Sequence, residues 1–255
     1  MLKQMISIVA VAGLVLALAL PVQGANIDVS DQLVDDLGLV EGDTFRMVFA
    51  TSTTTRSAKT VTMSTDIDFY NTFVTNAANN LDGNTGSIVA AYGWDWSVIG
   101  STADDDAIDN TSTTGTGFPI YLVGTHEKVA DTYTDLWDGS IDTAININED
   151  GDASTPPQGR VWTGTLTNGT VSGDGLGALG LYGNRWGSIA ATNATWIQNG
   201  GEGAVTKLYG VYAMSEPLHV TSVPVPGPVP EPATMCALGL AVAGLGGYVR
   251  KRRKA

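Results

Sequence analysis

Apolar residues in this chain fall into short alternating runs separated by glycine- and threonine-rich stretches. Thr44–Thr51 is the clearest run: Phe45, Met47 and Phe49 point one way, which predicts a strand. Ile88–Ile99 reads as a second strand, with Trp94, Trp96 and Val98 on one face. Phe118–Val123, Val161–Thr165 and Leu208–Met214 follow; in the last, Leu208, Gly210 and Tyr212 alternate against Tyr209, Val211 and Ala213. Only one segment has strong helical spacing. Ile67, Tyr70, Val74 and Ala77 share a stripe, Thr65 or Ser64 is placed to cap it, and Asp66 and Asp68 suit the positive end of the helix dipole. A helix over Asp66–Ala78 is therefore predicted, ended by Leu81, Asp82, Gly83 and Asn84. Short helices are expected within the acidic segment 25–43 and over Asp131–Trp137, the latter closed by the turn at Asp138 and Gly139. Thr51–Thr62 and Ala103–Gly117 read as loops, the second with one helical turn. Residues 172–204 are glycine-rich, with Trp186 and Trp196 as isolated anchors.

The two ends follow a different pattern. A short basic start containing Lys3 leads into an apolar run from Ile6 to Leu20, then Pro21 and small residues up to Gly24. That is the pattern of a secretory signal peptide over residues 1–24, cleaved between Gly24 and Ala25. A retained membrane anchor is the alternative, against which stands a run shorter than the roughly 20 residues a bilayer span needs. At the other end, five prolines within Val223–Pro232 make an extended linker, assigned to residues 219–228. An uncharged stretch from Ala233 to Val249 then precedes five consecutive cations, Arg250, Lys251, Arg252, Arg253 and Lys254. The stretch is long enough for a transmembrane helix with some bilayer thinning, and the cations hold its end in the cytoplasm.

Pro230, Glu231 and Pro232, the apolar stretch and the basic tail stand in that order at the C-terminus. Together they resemble the PEP-CTERM sorting signal of Gram-negative bacteria, over residues 229–255. The resemblance implies processing by an exosortase, a membrane transpeptidase, after signal peptidase has acted, with only transient tethering to the inner membrane. An ordinary tail anchor is the competing reading.

Composition sharpens this picture once the ends are set aside. The whole chain has a net charge of −13, but residues 25–232 hold seven basic against 26 acidic residues, a net −19. Such a surface argues against nucleic acid as a partner, because phosphate binding needs a basic face. The lone cysteine, Cys236, lies in the C-terminal apolar stretch, so the exported part has no disulfide framework and no multi-cysteine zinc site. The body must rely on its hydrophobic core, which a domain of this length can supply.

The body carries a second resemblance. The runs from Phe118 to Val123, Leu136 to Ile141, Val161 to Thr165, Ala194 to Trp196 and Leu208 to Glu216 look like the endostatin-type branch of the C-type-lectin-like fold. Asp66–Ala78 and Gly93–Ser101 match that fold's first helix and next strand. The resemblance implies an α+β domain over 44–218, with one main amphipathic helix on a twisted, mainly antiparallel sheet. It also implies that the first and last strands are neighbours and that Trp162 is buried. The disulfides, arginine clusters, histidine-rich zinc site and calcium-dependent sugar motifs known in such folds have no counterpart here.

Candidate chemistry is sparse. Asn146–Asp152 resembles the start of a calcium loop, but Asn146 and Pro157 occupy the positions where an EF-hand needs Asp and a bidentate Glu. A looser calcium site on Asn148, Asp150 and Asp152 competes with a solvated turn; otherwise no cofactor or metal is expected. His126 and His219 have no obvious nucleophile beside them, and Gly173, Gly175 and Gly177 lack the strand and helix of a nucleotide cradle. Paired carboxylates remain as an enzymatic route, with nothing in the sequence to single out a pair. The tryptophans read mostly as core rather than as a sugar platform. The sequence thus predicts a non-enzymatic, exported binding or structural protein of the cell surface or extracellular matrix. Its partners would be extracellular polysaccharide or envelope proteins, and a secreted polysaccharide hydrolase is the alternative.

Overall fold

The computed structural model describes residues 25–222 apart from 29, 53–54, 57–63, 84, 174, 177–183 and 203–206. In chain order the strands are β1 (Ala25–Asp28), β2 (Thr44–Ala50), β3 (Thr55–Arg56), β4 (Trp96–Val98), β5 (Ile120–Leu122), β6 (Lys128–Ala130), β7 (Arg160–Trp162), β8 (Asn184–Ser188), β9 (Gly200–Glu202), β10 (Leu208–Ser215) and β11 (Leu218–Thr221). The α-helices are α1 (Gln32–Leu37), α2 (Ile67–Ala78), α3 (Ala107–Asn110) and α4 (Tyr133–Leu136). The architecture is α+β, mostly sheet with few helices.

The sheet is built around β10, the longest strand. It pairs antiparallel with β2, β3 and β4 and parallel with β7. Ala213 stands opposite both Phe49 of β2 and Val98 of β4. The expected adjacency of the strands beginning at Thr44 and Leu208 is therefore present. Strand β5 joins β2 in parallel, and β7, β8 and β9 continue the sheet as an antiparallel ribbon.

Alternation along β2 and β10 sends apolar side chains to both faces, and both faces are covered. Phe45, Met47, Phe49, Tyr209, Val211 and Ala213 enter one buried cluster with α1, α2 and the tryptophans 94, 96 and 162. Val48, Ala50, Tyr212 and Met214 enter a second with Ile120, Leu136, Trp137 and Trp196. Trp162 is fully buried, as expected, and is tilted against Tyr209 with ring centroids 4.6 Å apart. Five of the six tryptophans are core residues and Trp186 is half-buried. Two residues after Trp162 the chain turns at Gly164 (φ +64°), where a Cβ would sit 2.4 Å from both the Leu176 nitrogen and the Ser101 oxygen. Only glycine lets these backbones approach.

Helix α2 forms where the apolar stripe predicts it, and Ile67, Tyr70, Val74, Ala77 and Ala78 are its buried residues. Its cap is neither Ser64 nor Thr65 but Asp66, whose carboxylate accepts from the Asp68 N–H. Ser64 Oγ instead accepts from the Asp66 N–H, two residues earlier in the same local network.

Four expectations need correction. The strand read over Ile88–Ile99 is confined to Trp96–Val98, and residues 88–92 form turns. Burial of Val89, Trp94 and Trp96 mimicked a long strand, but Ile88 and Tyr92 face outward and the Tyr92 N–H bonds the Val89 carbonyl. The segment 25–43 is part of the domain rather than a separate piece: β1 runs parallel to β11, and α1 buries Leu33 and Val34. The linker assigned from residue 219 starts later, because β11 continues to Thr221 against β2 and β1. The loop read over Thr51–Thr62 holds the two-residue strand β3.

No helix among the described residues is long and apolar enough to cross a membrane. The segments read as signal peptide and C-terminal membrane helix lie outside the described residues.

Candidate functional site

Arg46 is the one charged residue on the Val48–Ala50 face of β2, and it is only 3% exposed. Its Nε donates to the Tyr133 hydroxyl (2.7 Å), its Nη1 to the Ser215 carbonyl (2.8 Å) and its Nη2 to the Ser112 carbonyl (3.5 Å). Ser112 presents that carbonyl from a left-handed backbone (φ 52°) just after α3. Among the described residues no carboxylate lies within ion-pair distance of Arg46. Burial pulls the guanidinium below its ordinary pKa, a shift opposed by Tyr133 and by the more distant charge of Glu216.

Arg46 lines the floor of a pocket of about 310 Å³, formed where β2 begins, β10 ends and β4 begins. Tyr133 and Phe118 form an aromatic wall, edge to face at 5.9 Å. The wall depends on Gly117 (φ +64°), where a Cβ would sit about 2.0 Å from the Tyr133 ring. Asp95 and Glu216 complete the pocket's rim. The Asp95 N–H donates to Glu216 Oε1 (3.2 Å) and the Glu216 N–H to the Asp95 carbonyl (2.9 Å). The Asp95 carboxylate and the Ser97 hydroxyl have no partner among the described residues.

Asp95 also borders a shallower groove of about 390 Å³ along α2, lined by Asp68, Asn71, Thr72, Thr75 and Asn76. These residues recur at helical spacing on the stripe opposite the buried one. Asn71 is locked in place, exchanging amide hydrogen bonds with Asn110 (2.8 and 3.0 Å) while accepting from the Val98 N–H. Thr75 Oγ1 donates to the Trp96 carbonyl. Pocket and groove thus meet at Asp95.

A second depression, a cleft of about 210 Å³, opens on the other face of β2 at Met47. Tyr92 stacks on Trp94 there (4.3 Å, 17°), and its hydroxyl donates to Asp31 Oδ1. Burial, and next the Asp31 carboxylate, push the Tyr92 phenol up to about 12. His126 Nδ1 lies 3.5 Å from Asp36 Oδ2, and Gln32 donates to Asp36 Oδ1. His126 sits in the turn between β5 and β6; His219 is on β11, bonded to Thr44 Oγ1.

In the acidic loop considered for calcium, Asn148 Oδ1 accepts from the Asp150 and Asp152 N–H groups and so closes its own turn. Glu149 is fully buried and accepts from the Ser52 N–H and hydroxyl. A different trio, Asp131, Asp135 and Asp142, places carboxylate oxygens within 4.8 Å of one another on the surface. Lys128 already bonds Asp131, and Asp135 accepts from the Asp131 N–H.

The site residues named from sequence, Gly24 at the cleavage point and Pro230 to Pro232 and Arg250 to Lys254 in the tail, lie outside the described residues; Ala25 opens β1. Sequence reasoning missed the pocket. The available signal was Arg46 itself, a charge on the inward register of an apolar strand.

The family model described as the PEP-CTERM protein-sorting motif matches residues 228–253. The chain therefore carries the signal of an exported protein targeted to exosortase, through a membrane-anchored intermediate bound for the cell envelope. No characterised protein gives a significant match to the chain.

Proposed function

We propose that this is a non-enzymatic binding or structural protein of the cell surface or extracellular matrix, delivered there by signal peptidase and exosortase. The observation that carries the reading is the sorting motif at residues 228–253, joined to an α+β domain within residues 25–222, a span that holds no cysteine. On this reading signal peptidase leaves Ala25 as the first residue of β1, and the prolines after Thr221 space the domain from the membrane. The lectin-like resemblance is extended to the domain, supported by the pairing of β2 with β10 and the packing of α2 on the sheet.

The pocket that contains Arg46 supplies the binding surface. It also gives the hydrolase alternative its foothold, since Asp95 and Glu216 place two carboxylates on one rim. Mass spectrometry of protein recovered from outside the cell tests the delivery. The expected mass starts at Ala25 and lacks the segment after Pro232; an intact Arg250–Lys254 tail on that protein sinks the exosortase step. Incubation with extracellular polysaccharide tests the rest: binding without new reducing ends is expected, and turnover abolished by Asp95→Asn or Glu216→Gln would establish the hydrolase instead.

A further inference from the structure

The geometry points to the pocket over Arg46 and the adjoining groove along α2 as one continuous site for a neutral polysaccharide chain. This inference rests on the reading of the domain as an extracellular binding module and names its ligand class.

Three observations carry it. The first is shape. The Arg46 pocket and the α2 groove share Asp95 and follow one another, about 310 and 390 Å³, which suits an extended ligand better than a compact one. The second is hydrogen-bonding supply. Asp68, Thr72, Asn76, Asp95 and Ser97 have no side-chain partner among the described residues, while Asn71 and Thr75 are fixed in place by their own bonds. Hydroxyl groups both donate and accept, so a polyol chain matches this mixture of carboxylate, amide and hydroxyl. Phe118, 37% exposed, adds an apolar face at the pocket mouth for the C–H side of a sugar ring. The third is charge. Asp68, Asp95 and Glu216 outnumber Arg46 around the site, and the exported part is strongly acidic. An anionic polymer is repelled, both locally and over the whole surface. Buried Arg46 then acts as a donor held in place by Tyr133 and Ser215 rather than as an anchor for an anion.

The test uses the full chain purified in detergent. It is titrated with neutral glucan and galactan oligosaccharides, with the corresponding monosaccharides, and with uronate oligosaccharides of equal length. The neutral oligosaccharides should bind, more tightly than their monosaccharides and more tightly than the uronates. Asp95→Asn combined with Phe118→Ala should weaken that binding about tenfold or more, the scale of one lost charge-assisted hydrogen bond. Tyr92→Ala, in the cleft on the other face, should leave it unchanged. Near-ultraviolet circular dichroism checks that each variant remains folded; Asp95 and Phe118 are both exposed. No binding to any neutral oligosaccharide, equal or stronger binding of uronates, or binding indifferent to the groove variants overturns the assignment. A parallel pull-down of extracellular matrix material separates the two levels. Matrix binding that survives in the groove variant leaves the module reading standing and removes only the groove; loss of matrix binding by wild type removes both.

Discussion

Arg46 and Met47 are neighbours in β2, yet they open onto depressions on opposite faces of the sheet. The Met47 cleft looks richer in chemistry, with a histidine, two aspartates and a tyrosine. Its polar groups, however, answer one another: Tyr92 bonds Asp31, and Asp36 takes Gln32 and His126. Asp31 also caps α1, accepting from the Leu33 N–H. These groups tie α1 to the turns around residues 92 and 126. Around Arg46 the buried groups are likewise satisfied, but the rim is not: the Asp95 carboxylate and the Ser97 hydroxyl have no partner among the described residues. Hydrogen-bonding capacity left over on a rigid rim marks a binding surface better than the residue types present.

The largest expected effect strikes the core itself, in the buried cluster on the Met47 face of the sheet. Trp162→Ala should cost about 3–5 kcal/mol, much of the roughly 5–15 kcal/mol a domain holds. Chemical denaturation followed by tryptophan fluorescence should show both depressions lost in one transition. Separate transitions would show that the two faces of the sheet fold independently.

Alkaline titration should follow. Burial pushes the Tyr70 phenol up to about 12, and it raises Tyr133 in the pocket and Tyr212 in the core as well. A buried phenol favours its neutral form, so this stability is complete below the ordinary value of 10 and declines as pH rises through 10 toward 12. Tyr70 alone accounts for on the order of 2–3 kcal/mol. Ionisation of these buried tyrosines should therefore accompany unfolding rather than precede it; their full ionisation in a still-folded domain contradicts this account.

Arg46→Met comes next. It removes a desolvated charge but leaves the Tyr133 hydroxyl and Ser215 carbonyl short of a partner, and should cost about 1–3 kcal/mol. Lys at the same position should not restore the loss, because an ammonium lacks the planar fork that reaches both groups. Full rescue by Lys would mean that charge alone matters there.

The smallest effects belong to the Met47 cleft. Asp36→Asn should change stability by about 0–1 kcal/mol, as expected of a surface pair. Tyr92→Phe should cost about 0.5–1.5 kcal/mol through its lost bond to Asp31. Oligosaccharide binding that falls in either variant would transfer the binding role to this cleft.

Some of this was legible along the chain. Period-two alternation in Thr44–Ala50 and Leu208–Ser215 and the helical stripe of Ile67–Ala78 found the two central strands and the main helix, because each buries a full side. The stretch around Ile88 misled because burial there comes from turns packed on the core, and apolar spacing does not distinguish a packed turn from a strand. Strand β1 was invisible, being four residues long and held by its pairing with β11.

The sequence alone determined the destination of the protein. A sorting signal is read by membrane machinery as a linear string, Pro230 to Pro232 followed by an apolar stretch and cations, and matching it needs no fold. It also determined the absence of disulfides from the exported part and its strong negative charge, since these are sums over residues. Only the tertiary structure decided the candidate site. Arg46, Asp95, Phe118, Tyr133 and Glu216 span most of the chain length and carry no common spacing. They meet because antiparallel pairing puts the start of β2 and the start of β4 beside the end of β10, and hydrogen-bond registers between distant segments are not written in any local pattern.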